Sequence, residues 1–460
     1  MNRLTAGPVV TLGARSAGSL TRGRGHWSRG LAVSIVVLLG LSLVLGGCSR
    51  TQPQRRRVVL LALDGGTWEL LDRWIKEGKL PNLARIRNRG AWGPLRSIVP
   101  SSSPVIWTTV ATGKSPDKHG ITNFVRLPDG PGKPRPVDRT MRRTKALWNM
   151  LGDEGLDVAV VGWFVTWPAE EVNGRLVSDR AHYGLVEDRI WPPAYLSDLL
   201  PYTQEQAKEA MTRFMRFDYD PARVKAGSED PVEQVNFLVF DRFVRAWLRD
   251  AFYIEAAKRI LADGALPDFL ALYLRGTDDV QHGFWKFMQP QLFDGVSPKQ
   301  AKDFGQVIER YWQWIDEAVG EILSHYDDNT LVVVASDHGA GPAVGRYAVQ
   351  TPEYLHLSGS HRDRGILMLS GPGMRRGQRI EAARVHDLTP TILHYLGLPV
   401  GEDMDGRVLT ELFSIKLAPR EVARVASWDD EEAGPEDGSE LVPAAEEEIL
   451  EHLRSLGYIH

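Results

Sequence analysis

The sequence predicts an α/β fold with a central, mostly parallel sheet flanked by helices and an inserted helical cap. Continuous apolar runs at 58–63, 158–163, 269–274 and 331–335 have the length and composition of strands buried on both faces. Between them lie segments whose apolar residues recur at helical spacing, around 68–76, 83–88, 146–151 and 299–325. Buried strands alternating with helices imply parallel pairing through helical crossovers.

In chain order, the first 30 residues hold Arg3, Arg15, Arg22, Arg24 and Arg29 and no acid, and 31–47 is apolar or small throughout. This run ends in Leu45-Gly46-Gly47-Cys48, the order of a secretory signal with a lipobox. Cys48, the sole cysteine, is then the lipidated first residue of an exported lipoprotein anchored in a bacterial cell envelope. The basic region is longer than the usual signal of about 15–30 residues, so an uncleaved membrane anchor is the alternative; both export the domain. Without a second cysteine there is no disulfide, and stability rests on the core. Removing 1–47 takes away five arginines and no acid, which moves the formal net charge from −4 to −9. A chain so acidic is not expected to bind a nucleic-acid polymer as its main partner. The expected plan is a tether at 48–57, a catalytic domain at 58–415 with a helical cap inserted at 183–263, and an acidic linker and C-terminal helix at 416–460.

The first strand ends at Asp64-Gly65-Gly66, which puts a carboxylate on the rim of the sheet where α/β proteins bind ligands. Ser101-Ser102-Ser103-Pro104 then leads into Val105, Ile106, Trp107, Val110 and Ala111, a helix predicted to be capped by Ser103 with Pro104 at the first helical position. There Ser103 meets the positive end of a helix dipole, a place for an oxyanion or for a nucleophile. Arg139, Arg142, Arg143 and Lys145 follow a Pro/Gly-rich loop and serve either to solvate it or to meet an anionic substrate. Trp163, Phe164 and Trp167 follow the strand at 158–163, as core or as one wall of a pocket. Long helical stretches at 205–215 and 232–261 constitute the predicted cap.

Three further groups follow strands. Asp278 and His282 are four apart and share one face of a helical turn, a spacing that suits a metal. Asp337-His338-Gly339 follows the strand at 331–335, and a later loop carries His356 and His361. With Asp64 and Ser103, these side chains belong to one rim of the sheet. Six N/O ligands and an alkoxide suffice for two divalent metal ions; mixed His/Asp ligation suits Zn2+, with Mn2+ as the alternative.

On these motifs the chain resembles the alkaline phosphatase superfamily and, within it, the type I phosphodiesterase/nucleotide pyrophosphatase group. The matching pieces are Leu63-Asp64-Gly65, Leu80-Pro81-Asn82-Leu83, Ser103-Pro104 through Trp107, Ala111-Thr112-Gly113, His119-Gly120, Gly276-Thr277-Asp278 with His282, and Ser336-Asp337-His338-Gly339. His361, Gly371-Pro372-Gly373 and Val385-His386-Asp387-Leu388-Thr389-Pro390-Thr391 complete the set. The resemblance implies a hydrolase of small-molecule or lipid phosphate esters with Ser103 as nucleophile. It implies one metal held by Asp64, Ser103, Asp337 and His338 and a second by Asp278, His282 and His361. No separate general-base histidine is required, which leaves His119 and His386 structural. Nucleotide-cleaving relatives use threonine where Ser103 stands, so a nucleotide substrate does not follow. Sulfatase relatives carry a Cys/Ser-x-Pro-x-Arg motif whose arginine is missing here. Two alternatives are a phosphoryl or phosphoethanolamine-type transferase acting on a lipid or glycan and a metal-stabilised, non-catalytic binding protein.

Overall fold

Among the described residues nine strands make one sheet, and the four apolar runs are its four adjacent central members. In chain order the strands are β1 (Arg57–Leu63), β2 (Ala91–Arg96), β3 (Val125–Arg126), β4 (Arg135–Pro136), β5 (Val158–Val161), β6 (Gly174–Val177), β7 (Ile190–Trp191) and β8 (Phe269–Leu274). They continue with β9 (Thr330–Ala335), β10 (Gly339–Pro342), β11 (Gly359–Arg362), β12 (Arg364–Ser370) and β13 (Ala383–Arg384). The order across the main sheet is β13-β2-β12-β9-β1-β8-β5-β6-β7, while β3 pairs with β4 and β10 with β11. In this computed structural model the described residues are 56–128, 133–199, 231–348, 357–414, 421–430, 447, 449 and 450, with the backbone alone for 231–238. The expected leader, Cys48, most of the tether, His356 and most of 416–460 lie outside the described residues.

From β9 to β6 every pairing is parallel. β12 runs antiparallel to β9 and β2, and β7 antiparallel to β6. The central strands are continuously apolar because helices cover both faces. Val59, Leu61 and Leu63 pack on one side with the helices Pro81–Arg89, Pro231–Ala262, Gly276–Met288 and Val307–Leu323. Val58, Leu60 and Ala62 pack on the other with the helices Ser103–Thr112, Leu147–Asp153 and Leu388–Leu396. Each such fully buried leucine or valine contributes about 1.5–3 kcal/mol. Nearer the edge, β2 alternates buried and partly exposed positions, the period of a strand with one covered face.

Two expected elements differ. The helix expected over 299–325 is two, Pro298–Phe304 and Val307–Leu323. The break falls at Gly305, where a Cβ would lie 2.4 Å from the Ala301 carbonyl oxygen and 2.9 Å from that of Phe287. The described parts of the expected cap at 183–263 belong to the main layers instead: β7 extends the sheet, and Pro231–Ala262 buries Phe243, Trp247, Ala257 and Ile260 in the core. Apolar side chains on that helix are covered by the sheet and by Gly276–Met288, which is why it does not stand apart; 200–230 lie outside the described residues. Among the described residues no helix is long and apolar enough to cross a membrane.

Register positions the site. Ala62 pairs with Ala335 and Leu63 with Leu274. Parallel strands in that register deliver Asp64, Asp337 and the turn that begins at Arg275 to the same edge.

Candidate active site

Asp64 directly follows β1, and Asp337 and His338 follow β9 after Ser336. Here the chain turns out of the sheet: Ser336 Oγ donates to the His338 carbonyl oxygen at 2.9 Å and accepts the Gly66 N–H at 2.6 Å. Neighbouring side chains 337 and 338 can therefore converge, and His338 Nε2 stands 3.3 Å from Asp64 Oδ1 and 3.4 Å from Asp337 Oδ2. Nδ1 of His338 donates to the Gly339 carbonyl at 3.0 Å, which turns the Nε2 lone pair toward the carboxylates. Asp64 Oδ1, Asp337 Oδ2 and His338 Nε2 are buried and make no hydrogen bond among the described residues. Burial, and then the Asp64 charge, hold the Asp337 carboxyl well above the usual carboxylate range; the Ser103 hydroxyl beside it works in the opposite direction.

Asp278 and His282 project from the first turns of Gly276–Met288, and β11 supplies His361. His282 Nε2 is 3.3 Å from Asp278 Oδ2, His361 Nε2 is 3.6 Å from Asp278 Oδ1, and the two Nε2 atoms are 2.9 Å apart. Both rings place Nδ1 on a carbonyl oxygen, His282 on Gly359 at 2.9 Å and His361 on Ser101 at 3.3 Å. Two Nε2 atoms thus face each other beside a carboxylate, an arrangement that a cation, or a proton shared between the rings, would relieve. Burial would raise the Asp278 carboxyl, but the charges of His282 and His361 hold it well below its ordinary value.

The clusters share a wall. The His338 and His361 rings stack with centroids 3.6 Å apart. Gly65 gives its N–H to Asp337 Oδ1 at 3.5 Å and receives Gln281 Nε2 on its carbonyl at 2.9 Å. Its φ of +67° is left-handed, and a Cβ there would sit 2.9 Å from Asp278 Oδ1, so both conformation and space favour glycine.

Ser103 is buried, at 2 % exposure, and corrects one expectation. The N-cap of Ser103–Thr112 is Ser102, whose carbonyl accepts the Ile106 N–H at 3.0 Å, and Ser103 is the first helical residue. Its hydroxyl lies beside the Asp337 carboxyl, and no side chain caps the helix. The structure therefore brings Asp64, Ser103, Asp337 and His338 into one group and Asp278, His282 and His361 into another. His119 lies in the core between the Thr109 hydroxyl and the Ile121 N–H, and burial, assisted by His386, pushes its ring down to about 3. His386 meets Ser115 Oγ at 3.3 Å. Of the basic group, Arg142 pairs with Glu170 at 2.8 Å and Lys145 with Asp153 and Asp430, so these charges hold the domain together. Trp163 is buried against Trp107 and Trp148.

Sequence reasoning missed three supports. Tyr273 donates its hydroxyl to Asp64 Oδ2 at 2.5 Å, Trp107 Nε1 lies 3.4 Å from the same oxygen, and Thr277 Oγ1 donates to the Asp64 carbonyl at 2.6 Å. A tyrosine inside an otherwise apolar strand was the available signal, because a buried phenol needs a partner.

Residues 58–398 match the type I phosphodiesterase / nucleotide pyrophosphatase family. The chain is similar to an arylsulfatase of Klebsiella aerogenes, 23% identical over 459 residues that cover 84% of this chain and 97% of that protein. Among solved structures, human ectonucleotide pyrophosphatase/phosphodiesterase 5 is matched with a TM-score of 0.46 at 13% identity, over 78% of this chain and 100% of that one. Alkaline phosphatase PafA is matched with a TM-score of 0.49 at 13% identity, over 79% and 99%. The family match spans most of the domain and includes both side-chain groups, and the chain is a phosphoester hydrolase belonging to the type I phosphodiesterase / nucleotide pyrophosphatase family.

Proposed function

We propose that the protein is a metal-dependent hydrolase of phosphate esters, diesters foremost, with Ser103 as nucleophile. Asp64, Ser103, Asp337 and His338 would hold one divalent ion, zinc before manganese, and Asp278, His282 and His361 a second. The observation that carries this reading is the convergence of buried Asp64 Oδ1, Asp337 Oδ2 and His338 Nε2 beside the Ser103 hydroxyl. These acceptors fit a cation because nothing else among the described residues satisfies them. Bound divalent ions would supply Lewis acidity, neutralising the phosphoryl oxygens and the attacking and leaving oxygens.

The chain's own groups do the rest. Asp337 orients the Ser103 hydroxyl, and the positive end of the Ser103–Thr112 helix favours the anion that forms as its proton leaves. Attack forms the Ser103 Oγ–P bond and breaks the bond to the leaving oxygen, which departs with the electron pair, and the proton given up by Ser103 passes through solvent to that oxygen. Water then cleaves the seryl ester and returns the hydroxyl. Tyr273 and Trp107 position Asp64 throughout.

The arylsulfatase likeness favours sulfate esters as a second reading. Setting Pro104 at the third position of Cys/Ser-x-Pro-x-Arg puts the fully buried Ile106 where the arginine belongs, which supports phosphate. The basic start, apolar run and lipobox support export and anchoring through Cys48.

The test is hydrolysis of bis-p-nitrophenyl phosphate, p-nitrophenyl phosphate and p-nitrophenyl sulfate by metal-loaded protein lacking the leader, with Ser103→Ala alongside. Diester cleavage lost in the variant by about 10³-fold or more is expected. Sulfate cleavage alone would install the second reading. Absence of cleavage without an added lipid or glycan acceptor would point to transfer.

A further inference from the structure

The helix Gly276–Met288, which carries Asp278 and His282, starts without a cap of its own: the residue before it, Arg275, has no side-chain acceptor to offer the first turn. The acceptor comes from another helix. Asp250 of Pro231–Ala262, fully buried, takes the Gly276 N–H on Oδ2 at 2.8 Å. The same oxygen accepts the Tyr311 hydroxyl of Val307–Leu323 at 3.0 Å, so three helices meet at Gly276. A Cβ at Gly276 would stand 1.9 Å from that hydroxyl oxygen and 2.6 Å from Asp250 Oδ2, so only glycine lets the carboxylate reach the backbone.

The neighbour of Asp250 holds a second point. Arg249 Nη2 donates to Asp279 Oδ2 at 2.7 Å, and its Nε lies 3.4 Å from Asp250 Oδ1. Asp279 Oδ1 is also 3.6 Å from Arg242 Nη2 and 3.8 Å from Arg275 Nε. Gly276 and Asp279 flank Asp278, so consecutive residues of one helix grip the other on both sides of a candidate metal ligand. The Asp250 carboxylate satisfies an orphan N–H at the positive end of the helix dipole, and Arg249 offsets part of the cost of burying two acids. Burial pushes the Asp250 carboxyl up to about 6, against the Arg249 charge and the Gly276 N–H.

We propose that Asp250 is a positioning residue for the second cluster: by fixing the first turn of Gly276–Met288 it sets the direction of Asp278 and His282, and with it the affinity of that cluster for a divalent cation. It acts through Gly276 and, by way of Arg249, through Asp279. The first cluster hangs from β1 and β9, strands held by their own ladder, so the effect falls on the second. The inference rests on the two-ion reading and adds to it a residue outside the ligand set that tunes one ion.

The test is a calorimetric titration of Zn2+ into the metal-free protein, with Asp278→Asn and Asp337→Asn assigning the two binding phases to their clusters. Asp250→Ala is expected to weaken the second-cluster phase by about tenfold or more and to leave the first within about twofold. Its kcat/KM for bis-p-nitrophenyl phosphate should be low at limiting Zn2+ and return toward the wild-type value as Zn2+ is raised, which a general loss of structure would not do. An unchanged second phase, equal weakening of both, or activity that stays low at saturating Zn2+ overturns the inference and leaves the two-ion reading standing. A wild type from which Asp278→Asn removes no binding phase overturns both. If the alanine variant does not fold, Asp250→Asn decides, since it keeps the side-chain volume but drops the charge facing Arg249. A selective loss of about threefold or more at the second cluster is then expected, and no selective loss sinks the proposal.

Discussion

Two clusters share one rim of the sheet and solve opposite electrostatic problems. Asp64, Asp337 and His338 bring two carboxylates and one imidazole to a fully buried point; Asp278, His282 and His361 bring one carboxylate and two imidazoles to a point where His361 remains half-buried. The consequences differ in sign. Asp337 is raised by burial and by the Asp64 charge, whereas Asp278 is held low by its two histidines in spite of burial. The second cluster sets two imidazoles against one carboxylate, but the first reaches neutrality with both carboxylates ionised only around a cation.

The largest test treats the two as one machine. Asp337→Asn and Asp278→Asn should each lower kcat/KM for bis-p-nitrophenyl phosphate by about 10²–10³-fold or more. A variant that keeps near wild-type turnover would remove its cluster from the reaction.

Stability without metal should separate them. In chelator-treated protein at pH 8, Asp337→Asn is expected to raise the urea-unfolding free energy by about 1–3 kcal/mol, since it removes a buried like-charge contact, while Asp278→Asn lowers it by a similar amount. The pH dependence follows from the same shifts. The raised Asp337 carboxyl contributes stability that is fully present below its unfolded value of about 4 and is lost as pH rises through its folded value. The lowered Asp278 carboxyl contributes stability present above about 4 and lost as pH falls through its folded value. Metal-free wild type should therefore weaken as the pH rises above about 4, and Asp337→Asn should flatten that slope. A slope unchanged in the variant would contradict the charge account of the first cluster.

The smallest effect is the most selective. Tyr273 donates its hydroxyl to Asp64 in the first cluster, so Tyr273→Phe should weaken metal binding there by about tenfold and leave the second unchanged in a calorimetric titration. Equal weakening at both would mean that the shared wall at Gly65, rather than Asp64 alone, transmits the change.

How far the site could be read in advance follows from the range of each interaction. Asp64, Asp278 and Asp337 are legible because each ends or follows an apolar run, and a polar residue at the end of a buried strand has only the rim to occupy. Asp278 and His282 are legible as a pair because helical spacing is local. Tyr273, Trp107 and Gln281 are not: each lies in an apolar or helical segment where packing alone would explain it, and each acquires its role from a partner far away in the chain, Asp64 or Gly65. The helix start lies one residue from the expected cap, at Ser102, because consecutive serines before a proline are equivalent as caps in a local pattern.

By itself, then, the sequence determined the parallel α/β layers, the strand ends that carry the carboxylates and the family to which the chain belongs, since burial pattern, turn residues and motif order are properties of neighbours along the chain. Only the tertiary structure decided which side chain joins which cluster and that Ser103 lies beside Asp337. Those outcomes depend on register between strands hundreds of residues apart, such as Ala62 opposite Ala335, and a local pattern sets how deeply a side chain is buried without setting whom it meets.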